Sequence, residues 1–143
     1  MKRDLISLGV GVVLFASVAS AATAAPSYRE ARAWLADYRQ TVGQDALMAL
    51  DPAKLRPHSL RWNDLAQRAD KLFGDPLGKF GPCVSAATFA RSAWQDVVSV
   101  ALARETERAA RGAGNAAFQS FNAGQHYAAC YDLIETLDAA AKK

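Results

Sequence analysis

Two histidines, two cysteines and fourteen carboxylates are the side chains with which this 143-residue chain could do chemistry. Their spacing excludes more than it offers. Cys83 and Cys130 form no Cys-x-x-Cys, so dithiol redox work and covalent haem attachment are unavailable. Two isolated cysteines and two scattered histidines, His58 and His126, lack the ligand spacing of a metal site. A strained nucleophile turn of the Gly-x-Ser-x-Gly type is missing. Aspartates and glutamates are dispersed, with no pair set apart from surface charge. Gly78-Lys79-Phe80-Gly81 lacks the Lys-Ser/Thr ending of a phosphate loop. No catalytic residue, metal or cofactor is therefore expected, and the chain reads as a non-enzymatic binding protein. A hydrolase of unrecognised type would need a cleft that gathers His58 or His126 with Asp, Ser or Glu.

The first 25 residues give a destination. Lys2 and Arg3 precede a stretch from Leu5 to Ala25 with no charged residue. Its apolar part, Leu5 to Phe15, grades into Ala, Ser and Thr. Ala22-Thr23-Ala24 places small residues where a signal peptidase requires them, so cleavage is expected between Ala24 and Ala25. Residues 1–24 are then a signal peptide and 25–143 a single helical domain. No cysteine lies near the cut, which excludes a lipid anchor there. The expected location is the bacterial periplasm or the medium, with no stable membrane anchor after cleavage. An even cysteine count in that oxidising compartment predicts one Cys83–Cys130 disulfide.

Helical periodicity must position these groups. Ser27-Tyr28-Arg29-Glu30 has the form of a capping box. Ala31, Trp34, Leu35, Tyr38 and Val42 then repeat at helical spacing. Asp51 to His58, with Pro52 and Pro57, reads as a connector, and Ser59 as the cap of a second helix. Gly74 to Pro82 is the strongest loop signal. From Pro82 the apolar stripe Ala87, Ala90, Trp94, Val97, Val98, Ala101 and Leu102 predicts a third helix. Gly112 to Asn115 and Gly124 read as interruptions before a last helix carrying Tyr127, Cys130, Ile134 and Leu137. The segment Asn122 to Ala129 resembles the inter-helix turn of a tetratricopeptide repeat. It has no second copy, so it implies an αα-hairpin and no repeat array.

Alternating strand patterns are absent, and the expectation is an all-α bundle of four to five helices stapled by one disulfide. The staple conflicts with an unbroken rod from Cys83 to Arg111. Such a rod is about 43 Å long, and a helix returning from Asn115 would fall short of Cys83. Bonded Cα atoms lie within about 7 Å, so either the rod is broken, with Ser99 to Thr106 the expected region, or the last helices pack differently, or the bond joins two chains.

Net charge is +3, which gives no electrostatic case for nucleic acid. The expected partner is another periplasmic or envelope protein, with this chain as assembly factor, chaperone-like protein or inhibitor. Phe80, between loop glycines, and Trp94 are the candidate contacts. Trp34, Trp62 and Trp94 also fit a core. The alternative function is a small-ligand or haem carrier. Met48 and His126 stand on the first and last helical segments, a ligand order that resembles periplasmic four-helix b-type cytochromes, although His126 starts its helix instead of lying near the chain end.

Overall fold

The first two helices begin where the sequence supplies a side-chain partner for the free backbone N–H groups of a first turn. The computed structural model describes residues 25–141; residues 1–24, with the expected cleavage after Ala24, lie outside them. Helix α1 (Tyr28–Ala49) starts at Ser27, whose hydroxyl accepts from the Glu30 N–H at 3.3 Å and donates to the Glu30 carboxylate. Helix α2 (Pro52–Phe73) starts at Asp51, whose carboxylate accepts from the Ala53 N–H at 2.9 Å. Helices α3 (Gly81–Leu102) and α4 (Thr106–Ala141) complete the described chain, and no strand occurs among the described residues.

Antiparallel neighbours make this an up-down-up-down bundle. On α1 and α2, Trp34 meets Phe73 while Asp45 meets His58. On α2 and α3, Phe73 meets Phe80 while Ser59 meets Trp94. On α1 and α4, Arg32 meets Glu135 while Tyr38 meets Tyr127. Helices α3 and α4 form the most extensive pairing; α1 touches α4 along a shorter seam. The Cys83–Cys130 disulfide, with Cα atoms 4.7 Å apart, staples α3 to α4. The chain turns through 103–105, inside the expected window, so the two helices return alongside each other and the bond closes.

Three expectations need correction. Asp51 to His58 is no connector: α2 starts at Pro52, where a missing N–H costs nothing, and it runs through Pro57. Ser59 therefore lies inside a helix instead of capping one. Gly112 to Asn115, Gly124 and the supposed hairpin at Asn122 to Ala129 all lie within the continuous 36-residue α4. A helical glycine costs about 1 kcal/mol, less than packing against α3 returns. Gly112 serves that packing, since a Cβ there would stand 2.7 Å from the Val100 Cγ2 on α3.

The core contains Trp34, Leu35, Leu65, Trp94 and Ile134, while Leu72, Val98 and Leu137 are only partly buried against it. Each indole donates its N–H across to another helix. Trp34 reaches the Leu65 carbonyl at 3.1 Å, Trp62 the Asp45 carboxylate at 2.9 Å, and Trp94 the Ser59 hydroxyl at 2.8 Å. Buried indoles need such partners, so the three tryptophans set helix register as well as filling space. No helix among the described residues is long and apolar enough to cross a membrane.

Candidate functional site

The sequence-derived contact residues are not on the surface. Phe80 is 5% exposed and Trp94 1%. Phe80 folds inward against Phe73 because the loop closes tightly behind it. The Gly78 N–H bonds the Asp75 carbonyl and the Gly81 N–H bonds the Gly78 carbonyl. Gly81 packs against the Pro76 carbonyl where any Cβ would overlap. Buried in this way, neither residue forms an exposed anchor.

What the bundle offers instead is a cleft of about 370 Å³ between α1, α3 and α4. It opens where α1 and α4 part. At one end the two helices are joined by Arg32–Glu135 at 2.8 Å and by the stacked rings of Tyr38 and Tyr127 at 5.1 Å. Beyond Tyr38 the facing residues are too small to close the seam: Gly43 on α1, Ala90 and Ala93 on α3, Ser120, Ala123 and Gly124 on α4. A Cβ built on Gly43 or Gly124 would meet nothing within 4 Å. Val42, Tyr38 and Tyr127 complete the apolar wall, with Arg39 on the rim.

One acid lies in that wall. Asp45 accepts two hydrogen bonds on Oδ1, from His58 Nε2–H at 2.6 Å and Trp62 Nε1–H at 2.9 Å. His58 is 4% exposed. Its ring stands edge-on to Trp94 at 4.5 Å and to Trp62 at 6.4 Å. Enclosed in this way, its imidazole orients Asp45 and is shielded from anything bound in the cleft. Burial pushes the Asp45 carboxyl above its ordinary value, against the opposing effect of the His58 and Trp62 hydrogen bonds and the His58 charge. Burial likewise raises the Tyr38 hydroxyl, with Asp45 and Tyr127 adding to the effect, so Tyr38 stays neutral through the physiological range.

A raised carboxyl pKa means that the native state holds its proton to higher pH than the unfolded chain does. The stability that this group contributes is fully present below its ordinary value and is lost as pH rises through the raised one. Asp45→Asn keeps an oxygen for Trp62 and His58 and removes the ionisation. Its stability relative to the parent is therefore expected to improve as pH rises from 4 towards neutrality. Asp45→Ala strands two buried donors and should cost about 1–3 kcal/mol for each. Denaturant unfolding of both variants across that pH range checks this; equal effects of Asn and Ala would show that the hydrogen bonds contribute little.

Sequence reading missed this site. His58 followed Pro57 in an apparent connector, and no periodicity connects Asp45 to Trp62. The haem pair is placed elsewhere: His126 stacks on Phe89 at 5.2 Å, Met48 packs at the edge of the core, and neither lines the cleft. The cleft does gather Asp45 with Ser120, but no histidine lines it beside them. No three His, Cys, Asp or Glu side chains among the described residues are grouped to hold a metal. Comparison with known proteins finds no matching family model, curated protein or solved structure.

Proposed function

We propose that the chain is an exported, non-enzymatic helical protein that binds the apolar part of a small ligand in the α1/α3/α4 cleft. The observation that carries this reading is the cleft itself. Its volume of about 370 Å³ falls in the range of small-molecule sites, about 300–1,000 Å³, and its wall is apolar with few polar groups. A bundle that only needed stability would fill such a seam with larger side chains. The export part of the reading rests on the charged start, apolar stretch and Ala22-Thr23-Ala24 of the leader. The disulfide supports it, since such bonds persist outside the reducing cytosol. The periplasm is the proposed compartment.

The test uses the full chain expressed with its leader in a bacterium. The exported protein should begin at Ala25 by intact mass and bind a neutral aromatic probe, phenethyl alcohol, saturably. Gly43→Leu with Gly124→Leu puts side chains into open space and replaces two helical glycines, so this variant should be at least as stable as the parent. It should lose the probe. Unchanged binding would place the ligand elsewhere and overturn the reading.

A second reading, a protein partner from the cell envelope, is favoured by one observation. Gly43 and Leu47 share one face of α1, four residues apart, and Leu50 follows as the cap of that helix. Leu47 is 66% and Leu50 82% exposed, and Gly43 lines the cleft. A partner inserting one apolar side chain would cover them. Leu47→Glu with Leu50→Glu should then abolish the complex and leave the small probe bound as before.

A further inference from the structure

The manner in which Asp45 is held points to the chemistry that the cleft selects. Its Oδ1 is saturated by two donors that come from the buried side, His58 and Trp62. Its Oδ2 has no protein donor among the described residues, and the side chain is 32% exposed where it forms the cleft wall. Among the described residues its ion-pair partner is His58, on the buried side, and no lysine or arginine pairs with it, whereas Asp37 pairs with Arg68 and Glu135 with Arg32. The free protein thus keeps a rigid, partly desolvated acceptor facing an apolar space. Tyr38, seven residues before Asp45 on α1, and Tyr127 on α4 add aromatic rings to the same wall, and aromatic rings attract cations.

We propose that the cleft recognises a primary amine in its ammonium form, carried on a small aromatic or apolar group, with Asp45 Oδ2 accepting the ammonium's hydrogen bond. The inference rests on the cleft being a ligand site and adds the class of ligand. The apolar group lies against Val42, Ala90, Ala93 and Ala123. Arg39, the cation on the rim, precedes Asp45 by six residues on α1, about 9 Å along the axis, so the ammonium binds at the Asp45 end. An ammonium at Oδ2 uses the oxygen that His58 and Trp62 leave without a donor, while the pre-set orientation means that little ordering is needed on binding.

Calorimetric titration of the exported protein with three probes tests this: phenethylamine, phenethyl alcohol and phenylpropionate. The amine should bind about tenfold or more tightly than the alcohol at neutral pH, the difference expected of a charge-assisted hydrogen bond. Asp45→Asn should bring the amine down to the affinity of the alcohol and leave the alcohol unchanged. Asp45→Glu, which retains the charge, should keep part of the preference. Equal binding of amine and alcohol to the parent overturns the amine inference and leaves the cleft reading standing. Equal weakening of both ligands by Asp45→Asn also overturns the amine inference alone. Tighter binding of phenylpropionate would move recognition to Arg39 and overturn it too. Absence of binding by all three overturns the cleft reading along with it.

Discussion

Replacing Cys83 and Cys130 together with alanine is expected to lower the stability of the fold by about 4 kcal/mol. The bond joins residues 47 positions apart, and the chain-entropy model gives that magnitude for a loop of this length. Both cysteines are fully buried, so the substitution also removes packing. The cross-link has a second effect through its position. It holds the start of α3, directly after the loop from Gly74 to Phe80, to a point well inside α4. Without it, the loop and the first turn of α3 should exchange amide protons faster than the Ala103–Glu105 turn, which lies far along the chain from either cysteine. Thiol titration of the denatured exported protein should find no free thiol before reduction and two after. Denaturant unfolding with and without reductant measures the energy. A change below 1 kcal/mol would mean that the unfolded chain stays compact without the bond.

Trp94→Ala should cost about 3–5 kcal/mol, a large share of the total stability of a domain this size. The indole fills space between α2 and α3, stands against the His58 ring and donates to Ser59. Loss of the ring frees His58 to tilt, and His58 orients Asp45. A change at a fully buried residue should therefore reach the cleft and weaken ligand binding there as well. Trp94→Phe separates the contributions. It keeps most of the ring contact and forfeits one hydrogen bond, and Ser59 still donates to the Leu55 carbonyl at 2.8 Å, so no donor is stranded. Its cost should be about 1–2 kcal/mol. Urea unfolding, with tyrosine ellipticity as the probe, measures both variants. A cost below 1 kcal/mol for Trp94→Ala would contradict core packing.

Some of the residues that announce local structure did so correctly, while Pro57 and Ser59, which read as a connector and a cap, lie inside α2. Ser27 with Glu30 starts α1, the run from Gly74 to Phe80 is the loop between α2 and α3, and Ala31, Trp34, Leu35 and Tyr38 turn inward together. These follow from interactions within a few residues or from one apolar face, and both are written in spacing. The glycines of α4 misled for the same reason. Their intrinsic cost is local and visible, but packing along α3 outweighs it and involves residues far off in sequence.

Sequence alone thus determined an all-α chain, much of its apolar patterning and the conflict between a Cys83–Cys130 bond and an unbroken rod from Cys83 to Arg111. Tertiary structure decided the rest. No Gly or Pro marks the turn at 103–105; its place follows from the register that the disulfide and the α3–α4 packing impose. The partnership of Asp45 with His58 and Trp62 joins two helices across a distance that no motif spans. The cleft exists because α1 and α4 are drawn together at Arg32 and Tyr38 and meet only small side chains beyond. Such a space is a property of how whole helices diverge, and residue spacing along one chain segment carries no record of it.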